Sequence, residues 1–350
     1  MSSSPILVWG AGAIGGTVGA YLVRAGEPVV FLDRDPQHVA AINASGLSIT
    51  GPIEEFRIQA PAFLEKDLNG RFETIFLCVK AHDTESAAAA LAPFLAPEGC
   101  VVSLQNGLNE LAIAAKVGER RTVGAFINFG ADYLSPGVIH YAGRGAVVVG
   151  EIDGKVTPRA EALHRLLLQF DDRAILTSNI WGYLWSKLGY GAMLIATALT
   201  DASIADCLAS ERHRPLLIAL GREVISVAVA ARIKPEAFNG FDPAAFLPGA
   251  SMAAAIATLD SLVAFNRRSA KSHSGIYRDL AVRKRKTEVR AQLGPIVEAG
   301  RRHGVATPLT ARLIELIGDI EEGRRPLAWA TLDALGLDEL GAPEASGAQA

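Results

Sequence analysis

Cysteine is scarce in this chain. There are three, Cys78, Cys100 and Cys207, and no two form a Cys-x-x-Cys pair. Scattered single cysteines build neither a disulfide framework nor a zinc site, so they read as small buried apolar residues in a reducing compartment. An excess of basic charge is also missing: 34 Lys and Arg against 37 Asp and Glu leave a net charge of −3. That balance argues against a general nucleic-acid binder. The start, MSSSPILVWG, lacks a basic segment and a long apolar core, so it does not read as a secretory signal. No apolar run is long enough to span a membrane; the longest, around 189–199, is too short. The expected compartment is therefore the cytoplasm, with neither nucleic acid nor membrane as a partner. No internal repeat is visible.

What is present is the balance of an ordinary globular protein, with 50% hydrophobic and 20% charged residues over 350 positions. That length suggests two domains, each able to bury its own core. The first half alternates strand and helix patterns. ILVWG (6–10), PVVFLD (28–33), TIFLCVK (74–80) and CVVSLQNG (100–107) read as buried strands. Helical spacing follows at 13–26, 36–46 and 83–95. This order predicts βαβ units and a parallel, doubly wound Rossmann-type sheet. From 122 to 151, strand runs are joined by SPG and GRG turns without helices, which suggests an antiparallel extension of the same sheet. After about Ser178 the pattern turns helical, with helices expected near 181–200, 212–232, 250–266, 286–303 and 307–322. A Pro/Gly/Phe-rich linker is expected at 234–249, and the tail is expected to be disordered. The expected domains are a dinucleotide-binding domain over 1–178, a helical substrate and dimerisation domain over 179–338, and the tail over 339–350.

Gly10-Ala11-Gly12-Ala13-Ile14-Gly15 fits G-x-G-x-x-G between a buried strand and a helix. In that context the first glycine permits a tight turn, the second admits a pyrophosphate, and the third packs helix on strand. The helix N-terminus then offers N–H groups to the anion. Asp33 ends the second strand, where an acid meets the adenosine ribose hydroxyls of NAD. Arg34, next to it, suits the 2′-phosphate of NADP. The pair leaves the choice between NAD(H) and NADP(H) open. Lys80 and Asn106 fall at the ends of the third and fourth strands, where ligands of open α/β sheets bind. A snorkelling lysine and an Asn-Gly turn are the plain alternatives. His82 reads as a loop histidine. No metal site is expected.

In the helical half, Lys187 is the lone charge of an apolar run, 180–200. Gly191 and Ile195 follow it at four-residue intervals on what should be the same face. The basic run Arg283-Lys284-Arg285-Lys286 reads as a solvated helix, with Glu288 paired to Lys284 at i−4.

Together these residues resemble the ketopantoate reductase (2-dehydropantoate 2-reductase) family over roughly residues 5–325. The matching marks are the glycine loop, VK ending in Lys80, QNG at 105–107, GVIH at 137–140, WSKL at 185–188 and RKTE at 285–288. The resemblance implies a Rossmann domain followed by an all-α domain similar to that of 6-phosphogluconate dehydrogenase. It further implies an NAD(P)H-dependent reductase in which Lys187 protonates the keto oxygen and Glu288 supports it. Asn106 then sits at the cofactor–substrate junction, and Lys80, Ala131 and Arg34 touch the cofactor. The chain departs from the family where two asparagines would follow the lysine; Gly191 and Ile195 stand there. The family's substrate-binding serine falls on Gly275, with Ser274 one place earlier. A site that hydrogen-bonds its substrate depends strongly on those groups. The departures therefore argue for a larger or less polar keto acid or ketone than ketopantoate, and a place in pantothenate biosynthesis stays open. An alcohol-oxidising or opine-type imine dehydrogenase and a non-catalytic dinucleotide sensor are the competing readings. The oligomeric state stays open, a homodimer included.

Overall fold

The computed structural model describes residues 4–268 and 272–336, so the expected tail at 339–350 lies outside the described residues. The chain divides into two compact units between Leu184 and Trp185, inside one helix.

The strands of the first unit are β1 Ile6–Trp9, β2 Val29–Leu32, β3 Leu47–Thr50, β4 Phe56–Ile58, β5 Ala62–Phe63 and β6 Phe72–Leu77. They continue with β7 Leu95–Ser103, β8 Thr122–Ile127, β9 Gly130–Ser135, β10 Val138–Gly143, β11 Val147–Glu151 and β12 Ile175–Leu176. Its helices are α1 Ala13–Arg24, α2 Pro36–Ser45, α3 Thr84–Leu91, α4 Glu110–Val117 and α5 Pro158–Leu168. An eight-stranded sheet runs in the order β12-β11-β8-β7-β6-β1-β2-β5. The pairs from β5 through β8 are all parallel, and β11 joins β8 antiparallel.

Period-2 alternation in the central strands feeds two cores. Ile6, Val8 and Phe76 point to one face, with Val18 and Leu22 of α1 and Leu163 and Leu167 of α5. Leu7, Trp9 and Ile75 point to the other, with Ala88 and Leu91 of α3 and Ile113 of α4. A strand covered on both faces needs apolar residues at every position, and β1 is buried throughout.

The stretch 122–151 divides between two sheets, which corrects the expectation of a single extension. β8 and β11 join the main sheet, but β9 and β10 form a second sheet in the order β4-β3-β10-β9. The cause is α1. Ile49 and Ile139 of the second sheet are buried in the α1 core, and the Ile139 side chain fills the place a Cβ on Gly16 would take.

The remaining helices are α6 Ile180–Thr197, α7 Ile204–Ala209, α8 Arg214–Ala230, α9 Met252–Arg268, α10 Gly275–Tyr277, α11 Val289–His303, α12 Pro308–Glu321 and α13 Trp329–Asp333. The expected linker 234–249 is packed structure: Phe238, Phe241 and Phe246 are buried, and Tyr190 of α6 meets the first two rings at 6.1 and 5.7 Å. The basic run is not helical either. Lys284 has φ +49°, and Arg283 and Arg285 both turn to buried Asp279 at 3.0 and 2.9 Å. Two guanidiniums on one desolvated carboxylate bend the chain, so the i, i−4 geometry expected for Lys284 and Glu288 does not exist. Helix α11 begins only at Val289.

Candidate functional site

The carboxyl ends of four adjacent strands carry the nucleotide-site candidates of the first unit. Gly10 follows β1, Asp33 follows β2, Lys80 lies three residues past β6, and Asn106 three past β7. The chain leaves β1 toward β2 on one side and returns to β6 on the other, so the strand order reverses at β1. Open α/β sheets bind ligands at such a reversal. Strands β6 and β7 end earlier than the apolar runs 74–80 and 100–107 predict, at Leu77 and Ser103. Backbone bonds nevertheless hold the loops in line: Cys78 N–H donates to Trp9 O at 2.9 Å, and Leu104 N–H to Leu77 O at 2.9 Å.

Each glycine of the loop has a distinct reason. Gly10 has φ +101°, a conformation that disfavours a side chain, and its N–H donates to Leu32 O at 2.8 Å. A Cβ on Gly15 would collide with Gly10 O and come within 2.8 Å of Val8 Cγ1 and 2.9 Å of Cys78 Cβ. At Gly12 a Cβ would meet nothing within 4 Å. Neither turn strain nor protein packing accounts for that glycine, and the space beside it is open. Gly12 caps α1 without a side-chain hydrogen bond, and the first turn holds no acid. Its N–H groups are thus left for an anion, and the loop fits a dinucleotide pyrophosphate. Ala11 is fully buried, while Ala13 and Ile14 are half-buried.

His38, which the sequence reading passed over, braces this loop. Its Nδ1 accepts the N–H of Gly137 at 2.9 Å. That assigns the proton to Nε2, which donates to Ala11 O at 2.9 Å. The ring is buried and meets Tyr133 edge-on at 5.0 Å. Ala131, on β9, pairs with Tyr141 in the second sheet and not at the ends of the main strands.

A buried polar chain ties the loops after β6 and β7 together. Gln105 Nε2 donates to Val79 O at 2.9 Å and to Thr84 Oγ1 at 2.7 Å. The Thr84 hydroxyl donates to Asn109 Oδ1 at 3.0 Å, and Asn109 Nδ2 donates to Asn106 O at 2.8 Å. Asn106 itself is exposed, as is Lys80. Around β2, Asp33 Oδ1 accepts the N–H of Asp35 at 3.0 Å, and Arg34 lies 3.3 Å from Asp83.

In the second unit, Lys187 is half-buried on α6. A helix turns by about 100° per residue, so Gly191 and Leu194 lie closest to its direction and Ile195 about 80° away. Burial agrees: Gly191 and Leu194 are half-buried, whereas Ile195 is 3% exposed. Leu194 therefore takes the place the four-residue spacing assigned to Ile195. A Cβ on Gly191 would meet nothing within 4 Å, and the same holds for Gly275. Ser274 is buried, and its hydroxyl oxygen accepts the N–H of Tyr277 at 3.2 Å, so it caps a helical turn. Glu288 is 5% exposed at the residue before α11. Its position is set by its neighbours: Glu321 accepts the Thr287 N–H at 2.7 Å and the Thr287 hydroxyl at 2.6 Å. Among the described residues, no group of His, Cys, Asp and Glu is arranged to hold a metal. No described helix is long and apolar enough to cross a membrane.

Comparison with known proteins adds independent findings. A family model described as ketopantoate reductase PanE/ApbA matches residues 6–154, and its C-terminal counterpart matches 179–321. The chain is similar to the 2-dehydropantoate 2-reductase of Archaeoglobus fulgidus, with 30% identity over 91% of this chain and 98% of that protein. The corresponding protein of Halobacterium salinarum is 26% identical over 89% of this chain and 97% of its own length. Among solved structures, a PanE/ApbA family ketopantoate reductase from Ralstonia eutropha aligns with a TM-score of 0.76 and 26% identity, over 91% of this chain and 99% of that one. A D-mandelate dehydrogenase solved with NADH and anilino(oxo)acetate shares the fold, with a TM-score of 0.79, 24% identity and the same coverage.

Proposed function

Because the chain belongs to the ketopantoate reductase family and is an oxidoreductase, we propose that it reduces a 2-oxo acid or related ketone to the alcohol with NADPH or NADH, with Lys187 as general acid. The observation that carries this reading is the lysine itself. It is the only charged residue of α6, and it is half-buried there. Lysine is seldom placed in such a run without a task.

A bound nicotinamide dinucleotide would supply the two electrons of the reduction. The glycine loop would hold its pyrophosphate against the free N–H groups of α1. Asn106, steadied through its carbonyl by Asn109, would offer an amide to the coenzyme and the substrate. Lys187 would donate a proton from Nζ to the substrate oxygen as negative charge develops there. Glu288 would orient that ammonium. Gly191 and Leu194, in line with the lysine, support a substrate whose body is larger or less polar than ketopantoate. The reaction is proposed to run in the cytosol, where free thiols such as Cys78, Cys100 and Cys207 persist.

Lys187→Ala is expected to abolish turnover across a panel of 2-oxo acids while dinucleotide affinity, read by nicotinamide fluorescence, stays within about twofold. Undiminished turnover in that variant would sink the mechanism.

A further inference from the structure

We infer that the coenzyme is NAD(H), selected by Asp33 and by the capture of Arg34 on Asp83. This rests on the reductase reading above and names the coenzyme for it.

Asp33 is the first residue past β2, and it is half-buried. Its Oδ1 is tied to the Asp35 N–H at 3.0 Å. That bond holds the carboxylate at the strand end, where the adenosine ribose of a dinucleotide lies. A ribose diol donates O–H groups to a carboxylate. A 2′-phosphate would bring two negative charges against it instead.

The residue suited to offset those charges is engaged elsewhere. Arg34 Nη1 lies 3.3 Å from Asp83 Oδ2, and His82 Nε2 is 3.6 Å from the same oxygen. With the Arg34 side chain 83% exposed, this pair is weak and alone would not decide the matter. Asp33 decides it, because the turn to Asp35 keeps it in place. Asp35 adds a second fixed negative charge. Its Oδ1 accepts the Gln37 N–H at 2.9 Å, and its Oδ2 accepts the Tyr133 hydroxyl at 3.3 Å. Burial, then the charge of Asp35, push the Tyr133 phenol up to about 12, so it remains the donor in that bond.

Fluorescence titration of the intact protein with NADH and with NADPH tests the inference. NADH is expected to bind about tenfold more tightly, the loss typical of one mismatched charge-assisted contact. Asp33→Asn keeps an oxygen for the Asp35 N–H but removes the charge; it is expected to bring the two affinities within about threefold. Asp83→Ala frees Arg34 and is expected to strengthen NADPH binding several-fold, with NADH affinity little changed. Equal affinities in the parent protein, tighter NADPH binding, or an unchanged ratio in Asp33→Asn would overturn the inference. Tight NADH binding without turnover of any 2-oxo acid would overturn the reductase reading and leave the coenzyme assignment standing. Binding of neither dinucleotide would overturn both.

Discussion

The imidazole of His38 donates through Nε2 to the carbonyl of Ala11 at 2.9 Å, while its other nitrogen accepts from Gly137. One buried ring thereby joins the glycine loop, helix α2 and the turn between β9 and β10. The second sheet braces the loop through this ring.

Removing that ring leaves a buried carbonyl and a buried N–H without their partner. His38→Ala is expected to lower stability by about 2 kcal/mol or more, the cost of two stranded backbone groups, and to weaken dinucleotide binding. Urea denaturation and a fluorescence titration measure the two effects. A variant as stable as the parent would show that water replaces the ring without loss.

The glycines of the loop separate folding from binding. Gly12→Ala adds a methyl that meets no protein atom, at φ −69°. It is expected to leave the melting temperature within about 2 °C and to reduce dinucleotide affinity at least about tenfold. Gly15→Ala drives a methyl into Gly10 O and the Val8 side chain, so it should lower the melting temperature as well. Parallel thermal melts and titrations distinguish the two. Unchanged affinity in Gly12→Ala would contradict a pyrophosphate at this turn.

Substrate choice should respond at Gly191. The structure leaves space for a side chain there, four residues beyond Lys187 on α6. Gly191→Asn is expected to be tolerated by the fold and to raise kcat/KM for small hydroxylated 2-oxo acids relative to bulky apolar ones by about tenfold, the scale of one added hydrogen bond. Steady-state kinetics on a matched pair of substrates check this ratio; an unmoved ratio would remove Gly191 from the substrate wall.

Two buried thiols give the alkaline behaviour a sign. Burial pushes Cys100 up to about 11 and Cys207 to about 12, against 9.0 when unperturbed. Both folded values lie above the unfolded one. The stability they contribute is therefore full below about pH 9 and is lost as pH rises toward the folded values. Melting temperature is expected to fall between about pH 9 and pH 12, and the fall should be shallower in Cys100→Ala/Cys207→Ala. At neutral pH neither thiol should react with iodoacetamide until the protein is denatured.

Much of the first unit was legible because its signals are local. The apolar runs of β1 and β2, the glycine loop and the helix after it each lie within a few residues of one another, and the structure forms them with small shifts at the ends. Helix α5 also carries a local signal, with Thr157 capping and Leu163 and Leu167 buried four apart. Helix α7 has only six residues, too few to show a period. The division of 122–151 between two sheets was not legible, because β10 pairs with β3, about ninety positions earlier.

The same distinction runs through the candidate site. The amino-acid order by itself determined the βαβ beginning, the helical second half, the glycine loop and the lone lysine of α6, since each follows from short-range periodicity and residue type. Tertiary structure alone decided which groups support them. His38 reaches Ala11 from 27 positions away and Gly137 from 99. Asp279 gathers Arg283 and Arg285 and unmakes an expected helix. Leu194, not Ile195, lines up with Lys187, because a helical turn is 3.6 residues and not four. Hydrogen bonds and burial depend on distance in space, and separation along the chain carries no record of it.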